Sequence, residues 1–116
     1  MSIIPKHTVW KSAKRKDKEM KRTINGKIYD TRNAKLVAEY TNGLYPDDFD
    51  YLSEDLYRTA EGEYFIDGEG GARTQYSVHT GRGWRREGER LIPVTEEEAR
   101  AWASERFTPE EIEKMF

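Results

Sequence analysis

The chain predicts an α+β fold: a small antiparallel β-meander, preceded by a hairpin and a helix and followed by two helices packed on the sheet. Three observations predict it. Asn25-Gly26 is a strong two-residue hairpin signal, because a type I′ turn needs positive φ at both central residues. Ala72, Thr74, Tyr76 and Val78 alternate with Arg73, Gln75, Ser77 and His79, the period-two pattern of a half-buried strand. Two capping boxes, Thr95 to Glu98 and Thr108 to Glu111, open the last two apolar-periodic segments.

The elements follow in order. Residues 1–19 hold no sustained apolar period, and Lys14-Arg15-Lys16-Asp17-Lys18 is a charge run. They are expected to be a basic flexible arm, with Trp10 and Ile3-Ile4 as its apolar anchors. Met20 stands just before the first element, where an alternative start would stand, and residues 20–116 are expected to form one α+β domain. The Asn25-Gly26 turn joins strands over 21–24 and 27–30. Asp30 or Thr31 then caps a predicted helix with Ala34, Val37, Ala38 and Thr41 on its inward stripe, ended by Asn42-Gly43. Residues 44–52 combine Pro46 and three Asp with Tyr45, Phe49 and Tyr51, and predict an irregular crossing loop.

A second hairpin is predicted from 54–59 and 63–67 around Ala60-Glu61-Gly62, with Leu56 opposite Ile66, Tyr57 opposite Phe65 and Arg58 opposite Tyr64. Both faces of that pair are partly apolar, which predicts central strands. Gly68, Gly70 and Gly71 are read as a chain break. The alternation of Ala72, Thr74, Tyr76 and Val78 with Arg73, Gln75, Ser77 and His79 predicts a half-buried strand. Residues 81–88 form a basic turn, and 89–94 a last strand that Pro93 marks as an edge. In the two helices, Val94 and Ala99, then Phe107 and Ile112, are placed as hydrophobic staples, and Pro109 stands at a first helical position.

Composition bounds the function. Hydrophobic residues are only 35% of the 116, yet three Trp, seven Tyr and four Phe bury much area each, which suits a small core and not a deep catalytic cleft. With no cysteine there is no disulfide, thiolate metal site or thiol nucleophile, in keeping with a reducing cytoplasm. No apolar run approaches the roughly 20 residues of a membrane helix. The net charge of −2 hides segregation: residues 1–22 carry +6 and residues 38–71 carry −9. Opposite partner surfaces follow from this, as does plain attraction between the basic arm and the acidic body.

The densest acidic patch is Asp47, Asp48, Asp50, Glu54 and Asp55, interleaved with Tyr45, Phe49, Tyr51 and Tyr57. Tyr51 and Leu52 stand where a calcium loop needs a turn residue and a ligand, so no metal is predicted. Acidic residues beside aromatics suit a protein-binding patch, one that meets a basic surface by imitating phosphates. The candidate protein-binding residues are therefore Tyr45, Asp47, Asp48, Phe49, Asp50, Tyr51, Glu54 and Asp55. An alternative is nucleic-acid binding through Lys14, Arg15, Lys16 and Lys18 with Arg73, Arg82, Trp84, Arg85 and Arg86, where arginines pair phosphates and Trp84 offers a stacking plane. The glycines at 68–71 lack the spacing and following helix of a dinucleotide fingerprint. Only His7 and His79 are histidines; His79 with Arg85 is the one pair suited to acid–base work on a phosphate, and no nucleophile motif accompanies it. No cofactor and no catalytic residue are predicted.

The stretches KRTINGKIYDTRNAKL (21–36), LYRTAEGEYFIDGEGG (56–71) and IPVTEEEARAW (92–102) together resemble a family of small hypothetical proteins of bacterial phages and conjugative elements. The resemblance spans residues 20–107 and omits the basic arm. Its motifs are a hairpin turn, a glycine break and a capping box, so it implies no catalytic role. It implies a context: accessory proteins of mobile elements that block host machinery, anti-CRISPR proteins among them. A non-enzymatic interaction protein directed at a host protein or nucleoprotein complex is the function expected.

Overall fold

The computed structural model describes residues 20–116, and the basic arm with its anchors lies outside the described residues. The hairpin of β1 (Lys21–Ile24) and β2 (Lys27–Asp30) turns at Asn25 and Gly26, with φ of 53° and 81°. These are the left-handed angles that the Asn-Gly pair predicts. A four-stranded antiparallel sheet follows in the order β3 (Lys35–Thr41), β4 (Leu52–Arg58), β5 (Tyr64–Gly70) and β8 (Gly88–Val94). Between β5 and β8 the chain makes a separate two-stranded ribbon, β6 (Val78–Gly81) and β7 (Trp84–Arg86). The helices α1 (Glu96–Ser104) and α2 (Pro109–Met115) complete an α+β domain. Neither is long and apolar enough to cross a membrane.

The central hairpin has the predicted register, with Leu56 opposite Ile66, Tyr57 opposite Phe65 and Arg58 opposite Tyr64. β4 and β5 are the inner strands, and β8 is an edge. On one sheet face Ala38, Leu56, Tyr64 and Ile66 pack against Ala99, Trp102, Ala103 and Phe107 of the helical segment. On the other, Phe65 and Leu91 pack with Met20 and Tyr29, and the Phe65 ring stacks on Tyr57 at 5.2 Å.

Three expectations are corrected. Residues 31–41 are not helical: they turn at 31–34 and enter β3. The bulge between Leu36 and Ala38 explains the misleading pattern, because it interrupts alternation and leaves neighbouring Val37 and Ala38 both buried. Pairing with β4 supplies what a helix would have supplied locally, and Val37, Tyr40 and Thr41 suit a strand. Asp30 caps a turn instead, its Oδ1 accepting from the Arg32 amide at 3.0 Å.

Residues 72–76 are successive turns and not a strand, with Thr74 N–H donating to the Gly71 carbonyl and Ser77 N–H to that of Thr74. Finally, Gly68 and Gly70 lie inside β5 instead of breaking it. A Cβ on Gly68 would stand 2.0 Å from the Tyr76 ring, so the glycine makes room for that side chain.

Both capping boxes form. Thr95 Oγ1 accepts from the Glu98 amide at 3.0 Å while the Glu98 carboxylate accepts from the Thr95 amide at 2.8 Å. Thr108 and Glu111 repeat the exchange. Thr95→Ala is expected to destabilise the domain by ~1 kcal/mol, read as a lower urea midpoint at unchanged slope.

Candidate functional site

The predicted acidic and aromatic patch divides in two. Tyr45 (66% exposed), Phe49 (59%), Asp47 and Asp50 face solvent, and Asp48 is half-buried. Tyr51, Glu54 and Asp55 are buried, the latter two at 2% exposure each, so they do not belong to a surface patch. The physical reason is the pleat. Residue 52 begins β4, and from there side chains alternate between two covered faces, with Glu54 on the side of Leu56 and Asp55 on the side of Tyr57.

Glu54 is a structural hub that the sequence reading assigned to the surface. Its Oε2 accepts from Tyr76 OH at 2.7 Å and from Gln75 Nε2 at 3.3 Å. Its Oε1 accepts from Trp102 Nε1 at 2.9 Å and lies 2.9 Å from an Arg106 guanidinium nitrogen. Burial first, then the adjacent Glu54 charge, push the Tyr76 hydroxyl up from its usual range and keep it a neutral donor. The signal for Glu54 was present in the register: it stands two residues before Leu56, on the same face.

The exposed loop is built onto the rest by backbone and charge. The Gly71 amide donates to the Tyr51 carbonyl and the Arg73 amide to that of Phe49, both at 2.9 Å. A Cβ on Gly71 would meet the Asp48 carbonyl oxygen at 2.4 Å, so only glycine permits this approach. Arg73 grips Asp50 with two hydrogen bonds of 2.9 and 2.8 Å and lies over the Phe49 ring at 5.3 Å. Arg73 is thus tied to the acidic loop and does not project with the basic hairpin.

That hairpin is exposed throughout. Arg82 and Gly83 make its two-residue turn with positive φ, and Trp84 beside them is 73% exposed. Arg85 and Arg86 follow on β7; Arg85 donates to Ser77 Oγ at 2.8 Å. His79 and Arg85 are register partners on this ribbon, both in solvent. Lys14, Arg15, Lys16 and Lys18 lie outside the described residues.

Loop and ribbon border one cleft of about 350 Å³, lined by Pro46 and Tyr51 from the first, Val78 and Arg86 from the second, and Glu69 and Glu89 from the sheet. Leu44, Tyr45, Phe49, Val78 and Trp84, five of the six large apolar side chains exposed among the described residues, belong to these two segments. Among the described residues no three His, Asp or Glu are grouped to hold a metal ion. No protein-family model, curated protein or solved structure matches this chain.

Two outcomes follow. Glu54→Ala leaves Arg106, Trp102 and Tyr76 without their shared acceptor and is expected to cost ~3–5 kcal/mol in urea denaturation. The hydrogen bonds from Arg73 hold the Asp50 carboxyl below its usual range. Its stabilising contribution is therefore complete above the unfolded value of about 4 and is lost as pH falls below that. The protection of the Arg73 amide against hydrogen exchange, taken relative to its intrinsic rate at each pH, is expected to fall on acidification through this window, and Asp50→Asn to abolish that loss of protection.

Proposed function

We propose that the protein is a non-enzymatic, protein-binding module whose interaction surface is formed by loop 44–50 and the β6–β7 ribbon. One observation carries the reading: exposed large apolar side chains are concentrated in these two segments, which share a cleft. Monomer surfaces scatter such residues singly, and their concentration marks an interaction site. Aromatic and arginine side chains together are the composition of binding interfaces. Charges of both signs, Asp47 and Asp48 on the loop and Arg82, Arg85 and Arg86 on the ribbon, rim the apolar residues and favour a protein partner over a uniformly anionic one.

The resemblance to proteins of phages and conjugative elements supports a host protein or nucleoprotein complex as the target. Blocking it anti-CRISPR fashion would use Tyr45 and Phe49 as anchors, with Asp47 and Asp48 set against a basic surface. The acidic contribution is smaller than the sequence suggests, since Glu54 and Asp55 are internal and Asp50 is engaged by Arg73.

Exposure of Trp84 beside three arginines supports a second reading, in which the ribbon binds nucleic acid by stacking and phosphate pairing. A bacterial lysate pull-down compares wild type with a Tyr45→Ala/Asp47→Lys/Phe49→Ala variant of matched urea midpoint. A partner held by wild type and lost by the variant is the expected result; identical partner lists overturn the protein-binding reading. Quenching of Trp84 fluorescence by single-stranded nucleic acid, fading steeply with salt, would instead favour the ribbon reading.

A further inference from the structure

The sequence holds three asparagines, and two of them, Asn25 and Asn42, are followed by glycine. That dipeptide carries a reactive pair of groups. The glycine amide nitrogen can attack the asparagine carboxamide carbon, because no Cβ on the second residue blocks the approach.

The fold treats the two pairs differently. Asn42 closes the base of loop 44–50. Its Nδ2 donates to the Asp50 carbonyl at 2.8 Å, and its Oδ1 accepts from the Leu44 and Leu52 amides at 3.3 and 3.2 Å. The attacking group is held as well: the Gly43 amide donates at 3.3 Å to the hydroxyl of Thr41, a buried residue. Electrophile and nucleophile must both give up hydrogen bonds before they meet.

Asn25 stands at the tip of the β1–β2 hairpin. Asn25 and Gly26 are both exposed, and a Cβ on Gly26 would have no heavy atom within 4 Å. Neither the Asn25 carboxamide nor the Gly26 N–H has a hydrogen-bond partner among the described residues. Strand β1 is exposed along most of its length, so opening this tip disrupts little packing.

We propose that Asn25-Gly26 is a site of spontaneous deamidation, and that the fold protects Asn42-Gly43 from the same reaction. Hydroxide removes the Gly26 amide proton, and the nitrogen bonds to the Asn25 carboxamide carbon. The Cγ–Nδ2 bond breaks, and Nδ2 leaves as ammonia with a proton taken from water. Water then opens the succinimide at either carbonyl. One opening gives aspartate with the backbone unchanged. The other gives isoaspartate, which routes the backbone through the side chain and adds a methylene to it.

The two products differ in consequence. Aspartate before glycine still suits a type I′ turn. Isoaspartate lengthens the two-residue connection, so Ile24 and Lys27 no longer meet as its closing pair. Strand β2 carries Tyr29, which is buried and packs edge-on against Phe65 at 5.5 Å. Isoaspartate at position 25 therefore loosens one side of the core as the protein ages.

Incubation of the folded chain in mildly alkaline buffer tests this. Trypsin releases Asn25 within residues 23–27 and Asn42 within 36–58, so the mass gain from amide to acid is read separately at each. Deamidation at Asn25 is expected to outpace that at Asn42 by about tenfold or more, the factor for breaking the hydrogen bonds that hold Asn42. In guanidinium chloride, which releases both pairs, the rates are expected to converge. No product at Asn25, equal rates in the folded chain, or a difference that persists in denaturant overturns the proposal. Asn25→Gly keeps the turn and lacks the carboxamide. Aged wild type is expected to gain an isoaspartyl fraction with a lower urea midpoint, and the aged variant to keep its own midpoint. Equal loss of stability in the two overturns the assigned consequence.

Discussion

The Glu54 carboxylate is the interaction on which the rest of the structure depends. A single anion at 2% exposure accepts hydrogen bonds from the turn segment through Tyr76 and Gln75, and from the helical segment through Trp102 and Arg106. Such a charge is tolerated internally only when its lone pairs are filled and a cation stands beside it. Both conditions hold, and Arg106 also lies over the Tyr40 and Trp102 rings at 5.2 and 5.1 Å. Removing the acid leaves β4 without its polar link to two segments distant in sequence.

Tyr76 carries that constraint outward. Its ring occupies the space that Gly68 leaves open, and its backbone carbonyl would stand 2.1 Å from a Cβ on Gly88. The turns at 72–76 are thereby pressed onto the sheet between β5 and β8. From them Gly71 and Arg73 hold loop 44–50, and the ribbon continues directly into solvent. The exposed aromatic side chains of loop and ribbon are thus presented by segments anchored on the core, as binding loops on rigid scaffolds are.

Much of the fold was legible because its signals are local. Asn25-Gly26, Ala60-Glu61-Gly62 and both Thr-x-x-Glu boxes specify backbone geometry within four residues, and all act as the sequence predicts. Residues 35–41 were misread because a bulge made a strand imitate helical spacing. Residues 72–76 imitate a strand because turns reproduce alternation in burial, with Tyr76 inward and Arg73 and Gln75 outward. Periodicity reports which side chains are covered, and two backbone paths can cover the same ones.

The candidate site was legible in composition and illegible in arrangement. The sequence by itself determined the hairpin turns, the helix starts and the central register. Only the tertiary structure decided that Glu54 and Asp55, adjacent in an acidic run, lie on opposite covered faces, one as a hydrogen-bonded hub and the other in register between Glu39 and Asp67. Turn and cap preferences act between near neighbours along the chain. The fate of a carboxylate depends on what other strands and helices bring against it, and those partners lie as far away as the 52 residues from Glu54 to Arg106.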